Sequence, residues 1–157
     1  MDKDDFAVRA LALERSLYCI ARSYLAAEAD CEDALQNALL RAWEKRDTLR
    51  QEAYFNTWLT RILINCCKQI LRRQKQEMPS ESLPEQAAPT DGDIDAWREL
   101  CSLDEKYRIV LMLRYRDGYC VADISRILRI PQGTVKARLS RGREQLRTRL
   151  IQEEVIL

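Results

Sequence analysis

A basic pattern near the C-terminal end of the chain holds the side chains best suited to chemistry. Small or apolar residues recur there at steps of four, three and four, which predicts a helix from Thr134 onward. They are Val135, Leu139, Gly142 and Leu146. If that row faces inward, the outer face holds Lys136, Ala137, Ser140 and Arg141. Arg and Lys donors beside small residues suit close contact with base edges in the major groove of DNA.

The residues before this helix predict the scaffold that would present it. Cys120 to Leu128 reads as a short helix, and the next five residues, 129–133, read as a tight turn. A short helix, a turn and a basic helix form the helix-turn-helix pattern. The free backbone N–H groups at Gly133 and Thr134 could also hold a phosphate. A soluble basic helix without this scaffold would not by itself indicate DNA binding.

The charge of the chain is unevenly distributed, although its net charge is only +1 over 157 residues. Residues 103–150 carry 12 Lys and Arg against 5 Asp and Glu, whereas residues 77–102 carry 1 against 7. The acidic stretch includes three of the four prolines and has no apolar period, so residues 77–95 are predicted to be a linker. We expect two domains around it, residues 1–76 and 96–157, and a polyanionic partner.

Helical periodicity dominates the chain, and only 4 Gly and 4 Pro are present. We therefore predict an all-α protein with two small helical domains. In the first domain, helices are expected at 5–27, from Asp30 to about 47, and at 54–75, with Asp30 as a cap and Asp33 as its capping-box partner. The inner rows predicted for the second and third helices are Leu35, Leu39, Ala42 and Trp43, and Trp58, Ile62, Cys66 and Ile70. In the second domain, 94–101 and 105–117 are expected to be helical, with Asp104 capping the latter.

A second basic surface lies at the end of the third predicted helix. Lys68, Arg72, Arg73 and Lys75 form it, and Tyr54, Phe55 and Trp58 precede it. Aromatic rings beside cations suit the unstacked bases of a single strand. Such cations are also common on a solvated helix face, and Trp58 fits a core position equally well.

Residues that commonly support catalysis or metal binding are scarce. The chain has 0 His, and its 6 Cys include no Cys-x-x-Cys pair, so we expect no metal, no cofactor and no catalytic site. The cysteines are expected to be small core residues. No apolar run approaches the ~20 residues of a membrane span, and the acidic N-terminus does not resemble a secretory signal. We therefore expect a cytoplasmic protein that is not itself a membrane protein.

Two blocks of sequence resemble bacterial RNA polymerase sigma factors. DALQNALLRAW at 33–43 with FNTWLTRILIN at 55–65 resembles the second region, and residues 108–147, ending in GTVKARLSRGREQLR, resemble the fourth. Two regions separated by a short acidic linker are similar to the extracytoplasmic-function group of the sigma-70 family. The resemblance implies a protein that binds core polymerase through its clamp helices and flap and directs it to promoter DNA. It also implies a membrane-associated anti-sigma factor as a partner.

The resemblance also implies roles for individual residues. Polymerase would contact Asp33, Gln36, Asn37, Leu40 and Arg41. The −10 element would contact Arg50, Gln51, Glu52, Ala53, Asn65, Lys68 and Arg72. The −35 element would contact Thr134, Lys136, Ala137, Arg138, Ser140 and Arg141. Cys120 stands where Ser or Thr usually caps a helix, and Gly142 replaces a usual Ala, each at a cost of up to about 1 kcal/mol.

Three other functions remain compatible with the residues alone. A helix-turn-helix regulator that does not act through core polymerase would use its first domain for dimerisation or sensing and would bind a palindrome unaided. A redox sensor or enzyme would use the six Cys. A sigma-factor mimic would sequester the partners of a genuine sigma factor, although an intact recognition face argues against it.

Overall fold

The computed structural model describes residues 1–77 and 94–156, which fall in two compact helical units, one on each side of residues 78–93. No strand occurs in either described range. The prediction of an all-α fold is therefore confirmed. Helices include residue 77 at one end of the predicted linker and residues 94 and 95 at the other, while the rest of the linker lies outside the described residues.

The first unit is a three-helix bundle made of α1 (Lys3–Tyr24), α2 (Glu28–Glu44) and α3 (Phe55–Glu77). Between α2 and α3 lie two short 3₁₀ turns, Arg46–Thr48 and Glu52–Tyr54. The helix α1 begins two residues earlier than predicted because the side chain of Asp2 caps it, accepting a 2.8 Å hydrogen bond from the backbone N–H of Asp5. The three helices pack around Leu17, Ile20, Leu59 and Leu63.

The predicted cap and capping box of the second helix are wrong. The helix α2 begins at Glu28, its N-cap is Ala27, and no side chain caps it. Asp30 lies in the first turn, where its carboxylate accepts a 2.7 Å hydrogen bond from the side-chain amide of Gln74. Its role is therefore to connect α2 to the far end of α3.

The predicted inner row of α2 is rotated from the observed one. The buried residues are small: Cys31, Ala34, Ala38 and Ala42. Leu35, Leu39 and Trp43 are only half-buried at the edges of that face. Small side chains let the helix axes approach closely, so the bulky ones cover the flanks of the contact. In α3, the predicted inner residues Cys66 and Ile70 are buried, but Trp58 and Ile62 are only half-buried. Leu59, Leu63 and Cys67 are buried in their place.

The second unit contains α4 (Ile94–Ser102), α5 (Glu105–Leu111), α6 (Val121–Leu128) and α7 (Gln132–Ile156). The predicted helix 105–117 changes character midway, because α5 continues as a π-helical segment, Met112–Arg116. Arg114 lies in this segment, where its exposed side chain donates a 3.2 Å hydrogen bond to the carbonyl of Tyr119. Asp104 occupies the N-cap position of α5, but its side chain makes no capping bond. Two residues after the segment, Gly118 takes a left-handed conformation with φ +75°, which glycine adopts without strain.

Gly142 marks the place where α7 crosses α5. It is buried, and a Cβ at this position would lie 3.1 Å from Cδ1 of Leu111 and 3.4 Å from Cβ of Tyr107. Of the other residues predicted to face inward, Val135 and Leu139 are buried, whereas Leu146 is only half-buried. The absence of a side chain at Gly142 therefore sets the closest approach of the two helices.

Candidate nucleic-acid and protein interfaces

The outer face of α7 is a continuous exposed surface. Lys136, Ala137, Ser140 and Arg141 are all exposed, in agreement with the prediction. Buried Val135 and Leu139 lie on the opposite side of the helix and fix its rotation about its own axis. The two cations and two small side chains therefore point away from the core as one row, which is the arrangement needed for entry into a major groove.

The turn between α6 and α7 is held by local hydrogen bonds. Arg129 takes the left-handed conformation at φ 56°, which ends α6. The hydroxyl of Ser125 donates a 2.6 Å bond to the carbonyl of Ile130, and the N–H of Ile130 donates a 3.2 Å bond to the carbonyl of Ser125. Buried Ile124 and Ile127 attach α6 to the core. These contacts fix the angle at which α7 is presented.

A cleft of about 330 Å³ borders the exposed row of α7 on the side of α5. The residues around it are Lys106, Tyr107, Gly133, Thr134, Ala137, Arg138 and Arg141. Three of them are cationic, and the ammonium of Lys106 lies 5.0 Å from the ring centre of Tyr107. Thr134 and Arg138, which were assigned to the DNA surface, lie half-buried here and not on the outer row. The cleft has the charge and the backbone N–H groups to hold a phosphate.

Lys106 belongs to this surface, although sequence reasoning missed it. It is exposed and lies in the first turn of α5, 30 residues before Lys136. Only the packing of α5 on α7 brings it to the recognition helix. The one sequence signal was the basic charge of residues 103–150 as a whole.

Two arginines on the flanks of α7 are anchored within the second unit. Arg143 donates a 2.7 Å hydrogen bond to the hydroxyl of Tyr115, and Arg149 donates a 2.7 Å bond to the hydroxyl of Ser102. Both bonds connect α7 to other parts of the same unit. These two cations therefore help to position α7 as well as adding positive charge.

The outer face of α2 combines polar groups with an exposed apolar side chain. Asp33, Gln36 and Asn37 are exposed, and Leu40 beside them is 58% exposed. Arg41 is half-buried. The small residues on the buried side of α2 explain why this row faces outward. The outer face of α2 therefore presents Leu40 beside three exposed polar side chains.

The segment before α3 is an exposed loop that is followed directly by a buried aromatic residue. Arg50, Gln51, Glu52 and Ala53 are all exposed. Phe55, which follows them, is 1% exposed, and its ring meets that of Phe6 edge to face at 5.7 Å. Phe6 in turn packs against Trp43 at 5.3 Å. The aromatic stack anchors the end of the loop, and residues 50–53 remain exposed to solvent.

Further along α3, a polar row follows the helix axis. Asn65 and Arg72 are exposed and Lys68 is half-buried, and their spacing places them on one stripe. Trp58, one turn after the loop, is half-buried with its ring 6.0 Å from that of Phe55, while Tyr54 is exposed. Trp58 and the predicted basic residues therefore lie on α3, whereas Tyr54 precedes that helix in a 3₁₀ turn and Phe55 is a core residue.

The cysteines divide into buried and accessible ones. Cys19, Cys31, Cys66 and Cys67 are buried in the first unit, as expected. The expectation of a core position is wrong for Cys120, which is exposed, and Cys101 is only half-buried. Burial raises the pKa of the thiols of Cys31, Cys66 and Cys67, and nearby Arg41 partly opposes the effect at Cys66. Among the described residues, no cluster of three or more His, Cys, Asp or Glu could hold a metal ion. None of the helices in those ranges has the apolar length that a membrane span requires.

Comparison with known proteins gives consistent matches for both units. The family model described as Sigma-70 region 2 matches residues 10–77, and the one described as Sigma-70, region 4 matches residues 95–146. The ECF RNA polymerase sigma factor SigW of Bacillus subtilis is 30% identical, over 95% of this chain and 90% of the relative. SigM of Mycobacterium tuberculosis, also named an ECF RNA polymerase sigma factor, is 34% identical over 84% of this chain and 70% of its own length.

Solved structures agree with these matches. The sigma factor RpoE of Bartonella quintana, crystallised with the anti-sigma factor NepR, superposes with a TM-score of 0.81 at 27% identity. That match covers 93% of this chain and 96% of the other. CnrH, solved in complex with the cytosolic domain of CnrY, has the same fold, with a TM-score of 0.74 at 22% identity over 95% of this chain and 89% of the other.

Proposed function

The chain belongs to the ECF RNA polymerase sigma factors of the sigma-70 family, and on that premise we propose how its surfaces divide the work of promoter-directed transcription initiation. The second unit reads the −35 element, and the first unit binds core polymerase and reads the −10 element. The observation that supports this assignment is the exposed row Lys136, Ala137, Ser140 and Arg141 on α7, opposite the buried Val135 and Leu139 on the same helix.

We propose that α7 enters the major groove of the −35 element. Arg141 lies in the middle of the exposed row, where its guanidinium can donate two hydrogen bonds to a guanine edge. Ala137 and Ser140 permit close approach, and Lys136 reaches a base or a phosphate. Thr134, Arg138 and Lys106, which border the cleft, contact the backbone phosphates beside the groove.

The −10 element is assigned to the first unit. The exposed loop of Arg50, Gln51, Glu52 and Ala53 contacts an unstacked base of the non-template strand. Asn65, Lys68 and Arg72 follow the DNA along α3, where two cations and an amide on one stripe suit a sugar–phosphate backbone.

Core polymerase binds the outer face of α2. Leu40 provides an apolar anchor, surrounded by Asp33, Gln36, Asn37 and Arg41, and the partner surface is the clamp helices. The second unit binds the flap. We propose that polymerase alone supplies the chemistry of RNA synthesis and that this chain acts beside it in the cytoplasm. By analogy with RpoE and NepR, an anti-sigma factor, here membrane-associated, is proposed to bind this chain.

A matched pair of leucines tests the polymerase surface. Leu40 and Leu11 are exposed by 58% and 68%, respectively, and both lie on the first unit. Leu40→Ala should weaken binding to core polymerase about fivefold or more, as expected for an interface anchor worth at least ~1 kcal/mol. Leu11→Ala should leave binding unchanged. Equal effects, or none, would remove this face of α2 from the proposal.

DNA binding by the purified chain, with and without core polymerase, distinguishes a sigma factor from an independent regulator. A sigma factor should give specific promoter binding only together with core polymerase. Specific binding of the isolated chain to a palindrome, as a dimer, would instead support a helix-turn-helix regulator that does not act through polymerase.

A further inference from the structure

One guanidinium connects helix α1 to the exposed loop before α3. A nitrogen of the Arg9 side chain donates a 2.9 Å hydrogen bond to the carboxylate of Glu52, and a second donates a 3.3 Å bond to the backbone carbonyl of the same residue. The Nε of Arg9 donates a 3.2 Å bond to the carboxylate of Asp5, one turn earlier in α1. Three donors of a single planar group are therefore used at once.

The position of Arg9 connects the loop to the aromatic core as well. Its guanidinium carbon lies 6.0 Å from the centre of the Phe55 ring, which is itself buried against Phe6. Asp5 directs the guanidinium from the other side. Because a planar fork held at several points has little rotational freedom, Arg9 fixes both the backbone and the side chain of Glu52.

Two backbone hydrogen bonds close the loop locally: the N–H of Tyr54 donates a 3.1 Å bond to the carbonyl of Gln51, and the N–H of Phe55 donates to the carbonyl of Glu52. Both bonds lie within the 3₁₀ turn and the start of α3, so neither reaches α1. The contact with Arg9 spans 43 positions of sequence and attaches the loop to α1. The same contact pairs the carboxylate of Glu52 with the positive charge of Arg9. Without that partner, the carboxylate would face a negatively charged DNA strand.

We propose that Arg9 is a positioning residue for −10 recognition, acting through Glu52 to hold the loop of residues 50–53 in the conformation that receives a promoter base. This inference rests on the proposed assignment of that loop to the −10 element. Arg9 itself need not contact DNA, and its substitution should change which base is preferred at one −10 position.

Folding should depend little on this contact. The side chains of Arg9 and Glu52 are 34% and 56% exposed, respectively, and exposed ion pairs contribute little to stability. A purely structural role would lower the thermal midpoint and reduce binding to all promoters alike. A positioning role changes the −10 preference while the −35 preference and the thermal midpoint remain as they were.

The test is a double-mutant cycle read out by transcription from a promoter library, with the full chain bound to core polymerase. Arg9→Ala should reduce discrimination at one −10 position about twofold to fivefold, the range that exposed charge pairs support. In the background of Glu52→Ala, the further effect of Arg9→Ala should shrink, because the side-chain bond is already lost and only the 3.3 Å bond to the backbone carbonyl of residue 52 remains. Lys3→Ala, an exposed cation of the same helix, is the matched control and should change nothing.

A third variant, Gln51→Ala, separates failure of this inference from failure of the −10 assignment. If Gln51→Ala alters the −10 preference and Arg9→Ala does not, Arg9 has no positioning role. If neither alters it, the loop does not read the −10 element. Equal effects of Arg9→Ala with and without Glu52→Ala would also overturn the proposal, because Arg9 would then act independently of Glu52.

Discussion

Replacing Gly142 with alanine tests the packing that positions the recognition helix. Intrinsic helix propensity favours Ala over Gly by up to about 1 kcal/mol inside a helix. The new Cβ, however, would lie 3.1 Å from Cδ1 and 3.3 Å from Cγ of Leu111. Leu111 is itself 4% exposed, so it has little room to withdraw. Overpacking of this kind costs about 1–3 kcal/mol, so Gly142→Ala should change stability by between zero and about 2 kcal/mol in the destabilising direction.

Gly133 offers a matched control in the same helix. It lies exposed in the first turn of α7, and a Cβ there would meet no atom within 4 Å. Gly133→Ala should therefore stabilise the second unit by about 0.4–1 kcal/mol. Amide hydrogen exchange of α5 and α7 in the full chain would measure both effects in the unit that contains them.

Substitution of Leu111 tests whether its side chain is the cause of the predicted destabilisation. In the background of Leu111→Ala, which removes Cγ and Cδ1, Gly142→Ala should become stabilising because only the ordinary contact with Tyr107 remains. Stabilisation by Gly142→Ala equal to that of Gly133→Ala in the otherwise unchanged chain would refute the argument that the helices touch at this glycine.

Three other predictions concern single side chains. Cys120→Ser should stabilise the second unit by about 0.5–2 kcal/mol, because Cys120 is the N-cap of α6 and makes no capping bond; unchanged protection of α6 from hydrogen exchange would contradict this. Lys106→Ala should lower the salt dependence of promoter binding by about one unit of slope without changing the −35 preference, as a phosphate contact requires. Raising the pH above 9.0, the ordinary pKa of a thiol, should destabilise the first unit, because the unfolded chain ionises while burial keeps Cys67 protonated. Cys67→Ala should flatten that pH dependence by up to about 1.4 kcal/mol per pH unit in thermal unfolding.

The spacing of apolar residues predicted the recognition helix α7 well, because apolar or small residues recur at every turn of its first half. The steps from Val135 to Leu139 and onward fix which side is buried, and charged residues occupy the rest of the surface. The helix nevertheless begins at Gln132 and not at Thr134, since Pro131 and the left-handed Arg129 end the turn earlier than expected. Helix ends depend on the backbone of one or two residues, which a periodic pattern does not resolve.

The inner face of α2 could not be read from hydropathy alone. Leu35 and Leu39 outrank Ala34 and Ala38 on any hydrophobic scale, yet the alanines are buried because α2 packs closely on its neighbours. Asp30 also looked like a cap from its local sequence, whereas its partner is Gln74, which lies 44 residues away. Both errors arise because tertiary contacts decide between local alternatives of similar energy.

The two additions to the candidate sites, Lys106 and Arg9, share the same explanation. Each lies on a helix other than the one that carries the motif: Lys106 on α5 beside α7, and Arg9 on α1 beside the loop before α3. Motif spacing identifies residues that are neighbours along one helix. Residues that complete a site from another helix become visible only when the packing is known.

Transcription from a promoter library tests the central claim most directly, using core polymerase with the unaltered chain, Arg141→Ala, or the control Arg98→Ala. Arg98 is an exposed arginine of α4, away from the recognition row in sequence. Loss of an arginine–guanine pair costs about 1–3 kcal/mol, so Arg141→Ala should reduce transcription from the preferred promoter roughly tenfold and relax one −35 position. Arg98→Ala should retain the full −35 preference. An unaltered −35 preference in Arg141→Ala would contradict the account, because α7 would then not read bases through its exposed row.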